Sequence, residues 1–239
     1  GGLIGNNGGN ININSVNLNV IIGANDTPIT ATKATIDLNN DGSYTNNGII
    51  AAEANIGGHV GNSAAEINVL GGSIGSISDT SKIAVKSSNV TNVGGIVGFT
   101  TGNLIVNNKF TNNALFAVEN SATSETDIGG IAGQINSSTA NVQIGNSELS
   151  SKAAQVFVDS NFFVNAKTAN LGGMIGKITS MANTSYINNT IFGGAFKSVG
   201  VNKGNHVFGG IIGLTTSGIS GNDYVFINFF HFHFIMQGG

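Results

Sequence analysis

Cysteine is absent from this 239-residue chain. That excludes a small secreted scaffold stapled by disulfides, and it excludes thiol catalysis and thiolate metal sites. It does not argue for the cytosol, because large bacterial surface proteins often dispense with cysteine. Charge is nearly as scarce: 9% of residues are charged and the formal net charge is −3, so no basic patch can neutralise a run of phosphates. Nucleic acid is therefore not an expected partner. No apolar run reaches the ~18 residues that argue for a membrane-crossing helix, and no transmembrane segment is expected. Proline occurs once, at Pro28, and no long stretch carries a helical period. The chain starts on Gly rather than Met, no leader pattern precedes the repeats, and both ends fall on Gly-Gly pairs. Any signal peptide, anchor or sorting segment is expected to lie outside it.

What is present is glycine, 36 residues of it, with Asn, Ser and Thr for polarity and Ile, Val and Phe for bulk. β-branched and aromatic residues suit pleated, half-buried surfaces, so the expected class is all-β. Glycine recurs in a fixed unit of the form Gly-Gly-apolar-apolar-Gly: Gly1 to Gly5, Gly94 to Gly98, Gly129 to Gly133, Gly172 to Gly176 and Gly209 to Gly213. A sixth copy, Gly57 to Gly61, carries His59 at an otherwise apolar position. From residue 57 onward the copies are 37, 35, 43 and 37 residues apart, the signature of a quasi-one-dimensional repeat array. Downstream of the units run short alternations broken by small polar residues, such as Ile11 to Leu18, Leu104 to Phe110 and Tyr186 to Phe192. Period-two alternation gives a strand, and Asn or Gly tolerates a bend, so each repeat reads as strand, corner, strand. In the first copy the apolar phase slips after Asn14-Ser15, which places a corner there.

These observations predict one domain over 1–239, an elongated β-solenoid, most simply a right-handed parallel β-helix built from repeats of about 37 residues. If each repeat winds two coils, the rod is roughly 50 to 60 Å long. Residues 25–56 read as an insertion or extra coil. Stretches 121–127 and 197–205 read as polar loop tips. Neutral polar side chains are expected to stack in ladders on the surface.

Three candidate sites follow. Asp37, Asn39 and Asp41, followed by Gly42, match the first half of a Ca²⁺ loop, in which oxygens at alternate positions and a turn-forming glycine surround a hard cation. Gly48 stands where the bidentate acid belongs, and Asp41-Gly42 equally signals a plain hairpin turn. The tail from 224 to 239 is a far more aromatic strand, with Phe230, Phe232 and Phe234 on one face and His231 and His233 on the other. It reads either as a plug for the end of the solenoid or as a self-association surface. The histidine pair, with His59 and His206 far along the chain, makes a poor metal set, and these side chains read as neutral surface or edge groups. The acidic residues are spread too thinly for general acid–base work, and no nucleophile elbow is present, so no enzyme is expected.

The glycine units, the Ile-x-Asn pattern and stretches such as Phe192 to Gly200 resemble the GLUG repeat of secreted bacterial proteins. The resemblance covers the chain from Gly1 to Gly213. It implies an extracellular or cell-surface location and an adhesin-like role, with no catalytic residues to carry over. The partners it implies are other copies of the chain, flanking domains of a longer polypeptide, or host or surface glycans.

Overall fold

A computed structural model describes residues 1–18, 21–22, 33–37, 45–51, 54–75, 82–87, 89, 91–146, 155–182 and 184–216. Among them there is no helix. The strands form four sheets, and the chain visits these in a fixed order before returning to the first. The first sheet holds six parallel strands: Ile4–Asn7, Val60–Ser63, Val97–Thr100, Ala132–Asn136, Ile175–Ser180 and Ile212–Thr215. The second runs through Ile11–Ile13, Ile67–Val69, Leu104–Val106, Val142–Ile144 and Tyr186–Ile187. The third stacks Val16–Leu18, Gly72–Ile74, Phe110–Asn112, Val156–Val158 and Thr190–Phe192. The fourth is the largest, with Lys82–Ser87, Leu115–Gly129, Asn161–Gly172 and, at one edge, Ala195–Gly209, and with Ala54–Gly57 and Thr91–Gly94 beside them. This is an all-β chain of stacked parallel sheets, the arrangement of a β-solenoid.

Register shows how the repeats are laid down. Val60 pairs with Ile4 on one side and Val97 on the other, and Ala132, Ile175 and Ile212 continue the same column. Each glycine unit thus lies directly on the next, so a repeat contributes one layer and not two. The first sheet then spans about 24 Å at the usual spacing of hydrogen-bonded strands, roughly half the length that two coils per repeat implies. The excess residues go into circumference. Strand, corner, strand accounts only for the second and third sheets, and each repeat adds a strand to the first and fourth as well.

The corner expected at Asn14-Ser15 is present. Ser15 has φ 51°, and Gly71, at the equivalent place one layer on, has φ 106°. Asn189 repeats the same left-handed bend at φ 49° between the last strands of the second and third sheets. The glycine units have a different reason. A methyl group on Gly95 would run into the carbonyl of Gly130 in the next layer. Only a bare backbone lets the layers approach so closely.

Inward-facing Ile, Val and Phe fill one continuous core. Val97, Ile131, Met174 and Ile175 from the glycine units are all fully buried, as expected for those positions. Phe116 and Phe162 stack at 4.6 Å between ring centres, and Phe196 extends the column at 5.1 Å from Phe162. The stretches expected as loop tips are not loops. Residues 121–127 lie inside the strand Leu115–Gly129, and 197–205 inside Ala195–Gly209. The extra residues are absorbed by register shifts, one between Asn120 and Glu125 and one opposite Val164 to Ala166, so the ladder continues on both sides. The long first repeat contains an antiparallel pair, Lys33–Asp37 against Thr45–Ala51.

Candidate functional site

Asp37 is the last residue of the antiparallel pair and stands opposite Thr45. Asn39 and Asp41 lie outside the described residues, as do Phe230, Phe232, Phe234, His231 and His233. His206 is half-buried, with Nε2 at 2.7 Å from the Ala166 carbonyl oxygen. His59 departs from the surface position expected of it, being fully buried.

Polar side chains do stack along the layers. Asn62 Nδ2 donates to Asn6 Oδ1 at 2.8 Å, Asn68 Nδ2 to Asn12 Oδ1 at 3.1 Å and Ser73 Oγ to Asn17 Oδ1 at 3.0 Å. These three columns face solvent. A fourth does not. Asn55, Asn92, Asp127, Asn170 and Val207 are successive register partners, each two residues before its glycine pair. Asn92, Asp127 and Asn170 are 4%, 1% and 2% exposed.

Within that column Asn92 Nδ2 donates to Asn55 Oδ1 at 2.8 Å, and Asn170 Nδ2 donates to Asp127 Oδ1 at 2.7 Å. Asn170 Nδ2 also reaches Glu125 Oε1 at 2.7 Å, and Lys177 forms an ion pair with Glu125 Oε2. Burial pushes the Asp127 carboxyl up to about 7; the bond from Asn170 and the Lys177 ammonium oppose that rise, while the Glu125 carboxylate adds to it. One buried group is left over: Asn92 Oδ1 has no hydrogen-bond partner. Neither spacing nor composition flagged this cluster. Aligning the repeats on their glycine pairs does, because Asp127 then stands alone among three asparagines and a valine.

The second unusual column runs through the third residue of each glycine unit. Leu3, His59, Ile96, Ile131, Met174 and Ile211 follow one another, joined by bonds such as His59 N to Ile96 O at 3.2 Å. Neither ring nitrogen of His59 has a hydrogen-bond partner, and its ring tilts against Phe110 at 5.9 Å. Burial holds the imidazole down at about 4, so it is neutral at physiological pH.

A carboxyl held high beside a second carboxylate is a pairing that acid–base catalysts use. Here Asp127 offers no surface oxygen to a substrate, and Glu125 is already bound to Lys177. The cluster is built to join layers. No family model, curated protein or solved structure matches the chain. Its functional reading therefore rests on the geometry described above and on the resemblance of its repeats.

Proposed function

We propose that the chain is a right-handed β-solenoid of about 37-residue repeats, serving as a rigid stalk or display segment of an extracellular bacterial surface protein. The observation that carries this reading is the stacking of six parallel strands in the first sheet, with parallel strands stacked in register in the other three, over one large apolar core. Right-handedness follows the general preference for parallel crossover connections. Backbone hydrogen bonds run along the axis in every sheet, so a pull along the axis must break a whole layer together. The resemblance to GLUG repeats supplies the surface location and the adhesin-like role. Binding, to glycans or other ligands, would fall to outward columns or to flanking domains. Negative-stain electron microscopy over a concentration series tests the reading: isolated short rods support it.

A second reading is a subunit of a self-assembling fibre. The final layer among the described residues favours it, since Val207 is 42% exposed and Phe208 and Ile212 are only partly covered. In that case Phe230, Phe232 and Phe234 contribute to the contact between copies. Filaments that grow with concentration and vanish when 224–236 is deleted would replace the first reading with this one.

A further inference from the structure

The buried polar column has a direction and one interruption. In both of its observed bonds an amide of one layer donates towards the preceding layer: Asn92 to Asn55, and Asn170 to Asp127. Carried through, the pattern requires the residue at 127 to donate to Asn92 Oδ1. An asparagine there would do so through its Nδ2. Aspartate has oxygen at that position, and a carboxylate has no hydrogen to give. Yet Asn92 Oδ1 is buried, unpartnered and one layer away from Asp127 in direct register. Two acceptors would face each other away from water, which is costly. A protonated carboxyl removes the conflict, because it has the shape of the amide and carries one O–H.

We infer that Asp127 is a proton-binding site: its neutral carboxylic acid accepts from Asn170 at Oδ1 and donates from Oδ2 to Asn92 Oδ1, closing a continuous ladder through Asn55, Asn92, Asp127 and Asn170. Loss of that proton opens the ladder between the strands Thr91–Gly94 and Leu115–Gly129, so the layers on either side are tied more weakly at alkaline pH.

The surroundings hold this group neutral instead of pairing it as an ion. Among the described residues, the charged groups that act on it are Glu125 from its own strand and Lys177 from Ile175–Ser180. The Lys177 ammonium is engaged by Glu125. From Asn161–Gly172 the facing group is Asn170, while Lys167 on that strand is exposed; Thr91–Gly94 contributes Asn92, and Ala132–Asn136 contains no charged residue. The carboxyl's midpoint near 7 agrees with the geometry.

The test begins on the whole chain. Carboxyl-carbon NMR of the whole chain, assigned by comparison with Asp127→Asn, should show one aspartate titrating near pH 7. Hydrogen exchange, corrected for its intrinsic pH dependence, should accelerate at least tenfold at the Thr91–Gly94 amides between pH 6 and 8, and Asp127→Asn should abolish that acceleration. An Asp127 midpoint in the ordinary carboxylate range overturns the assignment. So does a shift of the Asp127 signal at pH 8 on adding Ca²⁺ or Na⁺ alone, which would make the gap a cation site. Asn92→Ser, which keeps an acceptor, should leave the midpoint above 6; Asn92→Ala should lower it by a unit or more, and an unchanged midpoint in Asn92→Ala also counts against the bond.

Discussion

His59 and Asp127 are each the odd member of a stacked column, and the two columns respond to the substitution in opposite ways. Around His59 the neighbours are Ile96 and, across the core, Phe110, and no group is placed to receive its nitrogens. The column treats histidine as a poor substitute for an aliphatic side chain, and the ring stays neutral by losing its proton. Around Asp127 the neighbours are amides, one of which donates to it and one of which presents a bare carbonyl. That column treats aspartate as a stand-in for asparagine, and the carboxyl stays neutral by keeping its proton. Burial disfavours the charge in both cases, but only the polar column gives the neutral form something to bond.

Linkage makes the contrast measurable. The folded pKa of Asp127, about 7, lies above its ordinary value of 3.8, so its contribution to stability is complete below pH 4 and is lost as pH rises to 7. The folded pKa of His59, about 4, lies below 6.5, so its contribution is complete above pH 6.5 and is lost as pH falls to 4. The two slopes oppose each other across nearly the same window. Wild-type stability should therefore vary less between pH 4 and 7 than that of either single variant.

The largest expected effect comes from Asp127→Asn. At pH 8 it should be more stable than wild type by up to about 4 kcal/mol, measured by urea unfolding, and its profile should rise from pH 4 to 6.5 because the His59 contribution is then no longer opposed by that of Asp127. Next is His59→Ile, which matches Ile96. It should gain about 2 kcal/mol at pH 5 and little above pH 7, leaving a profile that falls with pH. The double variant should be nearly flat between pH 4 and 7; a residual slope would show that other buried groups titrate there. The smallest effects are on the Asp127 midpoint itself. Lys177→Met should raise it and Glu125→Gln should lower it by at least as much, since one removes an attracting cation and the other a repelling anion. No movement in either variant would mean that burial alone sets the value.

Much of the fold was legible because glycine marks it. The units at 57, 94, 129, 172 and 209 announce the repeat, and the slip at Asn14-Ser15 marks a corner that Ser15 then occupies with a positive φ. Layer number per repeat was not legible. Alternation shows that strands exist, but whether 37 residues make one wide layer or two narrow ones depends on which strands pair. The polar stretches 121–127 and 197–205 were misread as loops for a related reason. A strand buttressed on both sides can hold extra residues as a bulge, and composition does not record the neighbours.

His59 stood out from sequence as a polar residue at an apolar position, and Asp127 could have stood out as an acid among asparagines. Their consequences were hidden. Period-two alternation cannot say that the column containing Asn92, Asp127 and Asn170 is covered while those through Asn6, Asn12 and Asn17 face solvent. The sequence by itself determined the class, the period and the places where each repeat departs from its neighbours, because those are properties of spacing and side-chain type. The tertiary structure alone decided how many layers there are, which polar column is enclosed and which buried oxygen lacks a partner. Those depend on what packs across each strand, and water exclusion is what turns an ordinary carboxyl into one that keeps its proton.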